Sequence, residues 1–295
     1  MLPPGPYRRG CTFGKIQSWE VSDAFWEKAK SFVPKPSLNP DKEYDRHPGG
    51  RRKPLPPRQV FEGIVYVLGT GCQWKALPKE RFGCGSAIHR YLLEWAQAGF
   101  FHALWKAGLT DHDELQGIIW HRQSMDGAMT KAPLAKESVG ANPTDRGKNG
   151  TKRHIQVDGR GVPLAVVING TNRHDVTQME TVMDNVVASR PEPTPEKPQH
   201  LCADKGYDSQ KTRKAMEDRG YAPHVRSRGE ERQEKASNPD HRARRWVVEA
   251  CHSWMNRFRK VLVRFEKTDR SYLALVHLAC AIIAWRKLVL FMDKP

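Results

Sequence analysis

The sequence predicts an α/β protein in which a helical N-terminal part precedes a mixed sheet flanked by helices. Apolar residues recur at helical spacing from Trp19 to about Leu109, with glycine breaks between the helices. From Ile118 onwards, short apolar strands alternate with helical segments, and the second and third of these strands form a hairpin. This order favours a sheet that is antiparallel on one side and parallel on the other.

The first part of the chain begins with loose and basic segments. Residues 1–15 are rich in proline and glycine and are expected to be loose. A helix over residues 18–32 is followed by the segment 34–58, whose basic residues include Arg52 and Lys53. Proline and glycine make this segment a linker, which is either a solvated loop or an arm that lies in a nucleic-acid groove.

Two further helices are predicted over residues 60–69 and 85–100, and the second continues towards Leu109. Short helices with glycine breaks and basic flanks are typical of a helix-turn-helix-like module. Small bundles with no role in DNA binding show the same pattern, so both interpretations stay open.

The second part of the chain alternates between strands and helices. The turn sequence Asp158-Gly159-Arg160-Gly161 indicates a hairpin between the second and third strands. The predicted strands cover residues 118–129, 153–157, 163–168, 199–203 and 221–225, and the predicted helices cover 174–189, 208–219, 243–261 and 271–290.

Composition indicates a polyanionic partner. The 295 residues include 49 Lys and Arg against 33 Asp and Glu, a formal net charge of +16. Nucleic acid is the commonest polyanion that such a surplus binds.

Apolar patterning and cysteine usage predict an intracellular protein without a membrane span. The first residues lack the apolar core of a signal peptide. The most apolar stretch, residues 272–290, contains charged residues and is interpreted as a core helix. The six cysteines form no C-x-x-C pair, which argues against a structural zinc site and favours a reducing compartment such as the cytoplasm.

Residues 242–264 form the most basic segment of the chain. Glu249 is the only acid among them, and the seven cations are Arg242, Arg244, Arg245, Arg257, Arg259, Lys260 and Arg264. A helix this basic can lie along a phosphate backbone. A carboxylate would repel that backbone, unless it holds a divalent metal against it.

Two aspartates upstream could join Glu249 in such a site. Asp126 lies near the end of the first predicted strand, before Gly127, and Asp204 follows the strand over 199–203. Ligand sites in α/β sheets lie at the carboxyl ends of strands. Two divalent ions about 3.5–4 Å apart would relieve the repulsion between the acids and stabilise attack on a phosphodiester.

A purely structural interpretation of these acids stays open at this point. An aspartate after a strand is more often a turn residue or a helix cap than a metal ligand. Asp158, Asp175 and Asp208 are predicted to have such roles.

Several ordered motifs resemble one family of proteins. They run through most of the chain: Trp19–Asp23, Gly71–Pro78, Ser124–Gly127, Pro143–Lys152, Leu164–Asp175, Ala203–Asp208, Arg244–Glu249 and Trp254–Lys260. In these blocks the sequence resembles bacterial insertion-sequence transposases of the IS5 family.

The resemblance implies a DDE transposase with an RNase H-like catalytic core. Asp126, Asp204 and Glu249 match the catalytic, metal-binding triad, which would hold two Mg²⁺ ions, or Mn²⁺. The implied reaction cleaves the ends of the element and transfers the 3′-hydroxyl to target DNA. The implied partners are double-stranded DNA, at terminal inverted repeats and at the target, and a second copy of the chain in a homodimer or larger assembly. The implied location is the bacterial cytoplasm, at the nucleoid.

The resemblance also suggests DNA contacts near Glu249. Arg245 matches the arginine of the family's tyrosine, arginine, glutamate and lysine signature, whereas Arg242 stands at the tyrosine position and Asn256 at the lysine position. Arg257 and Lys260 are candidates to replace that lysine. The predicted DNA-binding set is Arg52, Lys53, Lys148, Lys152, Arg242, Arg245, Asn256, Arg257 and Lys260, in which Lys148 and Lys152 could equally belong to a solvated loop.

These inferences divide the chain into three parts. They are the loose segment 1–15, a helical DNA-binding domain over 16–112 that contains the linker 34–58, and an RNase H-like catalytic domain over 113–295. Two alternatives are an RNase H-like nuclease without strand transfer and a DNA-binding regulator that has lost catalysis.

Overall fold

The computed structural model describes residues 19–35, 54–225 and 246–292. Its helices are α1 (Asp23–Lys30), α2 (Pro57–Thr70), α3 (Lys79–Phe82), α4 (Gly85–Gln97), α5 (Phe100–Gln116), α6 (Val176–Asp184), α7 (Gln210–Glu217), α8 (Trp246–Asn256), α9 (Arg259–Leu262) and α10 (Asp269–Met292). Its strands are β1 (Arg122–Lys131), β2 (Gly140–Ala141), β3 (Asn149–Asp158), β4 (Pro163–Gly170), β5 (His200–Ala203) and β6 (Ala222–Val225). Short 3₁₀ turns cover Trp74–Ala76 and Lys205–Tyr207.

The strands form one mixed sheet. β3 lies antiparallel to both β1 and β4, and β5 lies parallel to both β1 and β6. The main order is therefore β4-β3-β1-β5-β6, and the short β2 pairs with the start of β3. Three antiparallel strands extended by two parallel ones form the RNase H-like arrangement, so the predicted fold class is confirmed.

One hydrophobic core joins the N-terminal helices to the sheet. The core includes Ile64 of α2, Leu92 of α4, Val248 of α8 and Leu278 of α10. Trp105 of α5 adds a buried hydrogen bond from its indole nitrogen to the carbonyl of Pro163, at 3.1 Å. The helical part is thus packed directly on the layer that carries β4.

The last helix is the core helix that the sequence predicts. Residues Asp269–Leu290 are long and apolar enough to cross a membrane, but 61% of the most apolar window is buried inside the protein. The helix packs along α5 and also contacts α4, α8 and β4. Much of the apolar surface of this helix is therefore buried against other elements of the chain.

The first strand begins later than predicted, and this moves Asp126. The apolar residues Ile118 and Trp120 imitate the start of a strand, but they are buried in the connection between α5 and β1. The side chain of Asp113 accepts a hydrogen bond from the backbone of Ile118, which fixes that turn. β1 runs to Lys131, so Asp126 lies in the middle of the strand and not near its end.

Candidate catalytic site

Asp126 lies in β1, and Asp204 directly follows the neighbouring parallel strand β5 at the same level. Ser124 of β1 pairs with Cys202 of β5, and each aspartate lies two residues further along its chain. Side chains two residues apart lie on the same face of a strand, and adjacent strands are about 4.8 Å apart. The register therefore directs both carboxylates to one face of the sheet.

Glu249 approaches the same face from helix α8, which packs against β1 and β3. The helix presents His252 one turn after Glu249, and Nε2 of His252 lies 3.8 Å from Oδ2 of Asp126. Residues three apart share one face of a helix, so Glu249 lies on the side of α8 that faces Asp126. Glu249 and Asp204 are exposed, and the Asp126 side chain is 35% exposed, so the group opens to solvent.

The pKa shifts of Asp126 and Tyr207 agree with several carboxylates lying close to one another. The pKa of Asp126 is raised to about 6, first by burial and then by the negative charges of Asp204, Asp175 and Glu249, against a lowering effect of the Gly127 amide. The pKa of Tyr207 is also raised, by burial and then by the charges of Asp175, Asp126 and Asp204. Asp126 therefore stands among carboxylates that disfavour its ionised form, the situation that a bound cation relieves.

The donor chemistry fits a hard divalent ion. Three carboxylates from different elements face a common space that solvent can enter, and oxygen ligands are those that Mg²⁺ prefers. Within residues 19–35, 54–225 and 246–292, no three His, Cys, Asp or Glu side chains already form a metal-binding group. Like charges repel, and a cation between the carboxylates would lower the cost of bringing them to one point.

The opposite face of β1 carries a charged cluster that is balanced within the protein. Lys152 is 6% exposed, and its Nζ lies 2.8 Å from Oδ1 of Asp175 and 3.0 Å from the carbonyl oxygen of Arg173. Nδ1 of His154 lies 3.7 Å from the same carboxylate. A Cβ at Gly127 would come within 2.8 Å of Oδ1 of Asp175, so glycine allows the cluster to reach the strand next to Asp126.

This cluster bears on two predictions. Asp175 is the N-cap residue of α6, as predicted, although its side chain makes no capping hydrogen bond and pairs with Lys152 instead. Lys152 was expected to contact phosphate, yet its ammonium group is buried and already has an anionic partner. The prediction for Asp158 agrees with the structure, because its carboxylate accepts backbone hydrogen bonds from Arg160 and Val162 in the hairpin turn.

The basic segment after Glu249 is not a uniformly exposed strip. Lys260 is 5% exposed and pairs with Glu266 at 3.3 Å, and Arg264 is fully buried and pairs with Asp269 at 2.8 Å. Both cations therefore stabilise the fold and do not face a phosphate backbone. This corrects the prediction that Lys260 binds DNA.

The remaining predicted DNA contacts have different environments. Asn256, at the lysine position of the family signature, accepts a hydrogen bond at 2.7 Å from buried Arg153, so its amide anchors β3 to α8. Arg257 and Lys148 are exposed and can meet a polyanion. Four predicted residues lie outside the described part of the chain: Arg52, Lys53, Arg242 and Arg245.

Sequence reasoning missed two buried side chains at this site. His252 is not among the predicted site residues, although its position three residues after Glu249 is a signal for a shared helix face. Arg153 is 1% exposed and donates to Asn256 and to the carbonyl of Val261. Trp254 packs against the hydrophobic core, and Nζ of Lys287 lies 3.8 Å from the centroid of its ring.

In this RNase H-like sheet the register directs Asp126 and Asp204 to one face, and the helix that contains Glu249 packs against β1 and β3. Two family models match this chain and specify the class of protein. The model described as "Transposase DDE domain" matches residues 122–284, and "Putative transposase of IS4/5 family" matches residues 21–105. The protein belongs to the DDE transposase family.

Known relatives agree with this assignment. A putative transposase for insertion sequence element IS402 from Burkholderia cepacia is 38% identical over 156 residues, which cover 52% of this chain and 71% of that protein. An uncharacterised 16.2 kDa protein of the same element is 31% identical over 42% of this chain and 80% of its own length. A crystal structure of a pre-cleavage Mos1 transpososome covers 96% of this chain and 90% of its own, with 12% identity and a TM-score of only 0.26.

Proposed function

We propose that this protein is the transposase of an IS5-family insertion sequence. In this proposal it cleaves double-stranded DNA at the terminal inverted repeats and joins the freed 3′-hydroxyl to target DNA. The observation that carries the proposal is that Asp126 in β1 and Asp204 directly after β5 lie at the same level, next to the helix α8 that contains Glu249 and packs against β1. Membership of the DDE transposase family supports it.

Asp126, Asp204 and Glu249 are proposed to hold two Mg²⁺ ions, or Mn²⁺ in their place. When bound, such ions offset the charge that develops on the attacking and leaving oxygens of a phosphodiester. The chain contributes one carboxylate from each of three elements, which fixes the ligands relative to the sheet. Asp126 is the least exposed of the three, and its pKa is raised first by burial and then by neighbouring carboxylates, whose repulsion a positive charge in the site would relieve.

DNA binding is proposed to depend on cations that surround the acids. Arg257 and Lys148 are exposed in the structure and fit this role. The same DNA-binding role is proposed for the predicted residues outside the described part of the chain, which are Arg52, Lys53, Arg242 and Arg245. Two ends of an element must be joined in one reaction, so the active form is proposed to contain at least two copies of the chain and to work at the nucleoid in the cytoplasm.

The triad is tested by the variants Asp126→Asn, Asp204→Asn and Glu249→Gln on DNA that carries the inverted repeats next to this coding region. Each should lower Mg²⁺-dependent cleavage by about a thousandfold, equivalent to roughly 4 kcal/mol of transition-state stabilisation. DNA binding in a gel-shift assay should survive. Asp208→Asn is the matched control, because Asp208 is exposed and pairs with Arg213 outside the triad.

The same assay separates the alternatives. Retained cleavage in any of the three variants would contradict the assigned role of that acid. Cleavage by the unaltered protein without joining to a second duplex would support a nuclease. Binding without nicking under Mg²⁺ or Mn²⁺ would support a silent regulator.

A further inference from the structure

His252 is a buried side chain that points into the candidate site without a hydrogen-bond partner of its own. The residue is 7% exposed, and neither ring nitrogen makes a hydrogen bond. Its Nε2 lies 3.8 Å from Oδ2 of Asp126. A buried polar group without a partner is costly, so its presence at the acid cluster needs a physical reason.

The distance between His252 and Asp126 suits two ligands of one metal ion. With metal–ligand bonds of about 2.1 Å, octahedral ligands lie about 3.0 Å apart when adjacent and about 4.2 Å apart when opposite. The observed separation of 3.8 Å lies between these limits. Only a small adjustment of either side chain is required for both to bind the same ion.

The position of His252 on α8 supports the same role. His252 follows Glu249 by three residues, so both belong to one helix face. The spacing Glu-x-x-His on one helix supplies two ligands to metal centres in helical carboxylate proteins. Here the helix packs against β1 and β3, which brings this pair towards Asp126.

Packing does not account for His252. The adjacent Cys251 is fully buried in the hydrophobic core, whereas His252 is buried with neither ring nitrogen in a hydrogen bond and with Nε2 directed at Asp126. A neutral imidazole has one nitrogen with a free lone pair, which is the form that binds metal.

We propose that Nε2 of His252 is a further ligand of the metal centre, beside Asp126, and that it biases the centre towards Mn²⁺ over Mg²⁺. The proposal rests on the proposed function, because it assumes that Asp126 binds a divalent ion. Mg²⁺ is selective for oxygen ligands, whereas an imidazole nitrogen is a ligand of transition metals. One nitrogen among carboxylates therefore stabilises Mn²⁺ more than Mg²⁺.

The decisive measurement detects nitrogen bound to the metal. The full chain, prepared without a polyhistidine tag, is titrated with Mn²⁺ alone and studied by pulsed electron paramagnetic resonance. Histidine labelled with ¹⁵N should change the nitrogen coupling of the bound Mn²⁺ in the unaltered protein. This experiment needs no variant, so it is independent of any folding defect.

The variant His252→Gln assigns the coupling to one residue. It should remove the nitrogen signal and reduce the preference for Mn²⁺ over Mg²⁺ by about tenfold, as measured by competition titration. His121→Gln is the matched control, since His121 is an exposed histidine just before β1, and it should retain both properties.

The possible results separate the two proposals. If Mn²⁺ binds equally well to the unaltered protein and to Asp126→Asn, the proposed metal site itself is wrong. If binding requires Asp126 but no histidine nitrogen couples to Mn²⁺, only the role of His252 is refuted. A coupling that persists in His252→Gln would also refute it.

Discussion

The two faces of β1 carry similar charged groups but balance them in opposite ways. On one face, Lys152 neutralises Asp175 at 2.8 Å beside Gly127. On the other, burial first and then the negative charges of Asp204, Asp175 and Glu249 raise the pKa of Asp126 to about 6. On the balanced face, a lysine of the protein itself neutralises the carboxylate. On the unbalanced face, the carboxylates leave a negative charge that an external cation can neutralise. Perturbed, uncompensated carboxylates of this kind mark functional sites.

The largest stability effect is expected on the balanced face. Asp175→Asn leaves the Lys152 ammonium buried without its counterion, and this should reduce the free energy of unfolding by about 3 kcal/mol. The double variant Asp175→Asn with Lys152→Met removes both charges and should recover most of the loss, as measured by urea denaturation. A double variant as unstable as the single one would mean that the pair does not balance this face.

Local sequence context singled out the acids that are proposed for the open face. Asp204 follows a short apolar strand, and Glu249 is the one carboxylate in a basic segment, so each stood out by its local context. The position of Asp126 relative to Asp204 along the strand direction depends on the register between β1 and β5. That register is a long-range property, and apolar residues before the true start of β1 led to the wrong position for Asp126 within the strand.

The balanced face could not be predicted from the sequence because its residues are polar but buried. β3 includes Lys152, Arg153, His154 and Gln156, a pattern that resembles an exposed segment. These side chains are buried because β3 has a strand on each side and helices near both faces. Only the tertiary structure distinguishes Lys152 from the exposed Lys148.

A smaller and opposite effect is expected on the unbalanced face. The pKa of Asp126 is about 6 in the fold, above the ordinary value of 3.8, so ionisation of this group opposes folding. The penalty is absent below pH 3.8, grows between pH 3.8 and 6, and is complete above pH 6. Asp126→Asn should therefore stabilise the metal-free protein at pH 7.5, by about 1 kcal/mol after allowance for solvent screening of a partly exposed group.

Thermal unfolding at two pH values in a chelator tests this expectation. The stabilisation by Asp126→Asn should shrink as the pH falls below 5. Mg²⁺ or Mn²⁺ at about 100 times its dissociation constant should then stabilise the unaltered protein by about 2.7 kcal/mol, and the variant much less. A variant that is less stable than the unaltered protein at pH 7.5 in chelator would show that the carboxylates of this face are not in mutual repulsion.

The smallest effects are expected in the basic segment, where exposed and buried cations again differ. Arg257 is exposed, so Arg257→Ala should weaken DNA binding modestly and lower the slope of log affinity against log salt by about 1. Lys260 is buried against Glu266, so Lys260→Met should leave that slope unchanged and instead lower the melting temperature, because Glu266 loses a counterion. Equal salt slopes for the two variants would show that burial does not decide which cations of this segment reach the DNA.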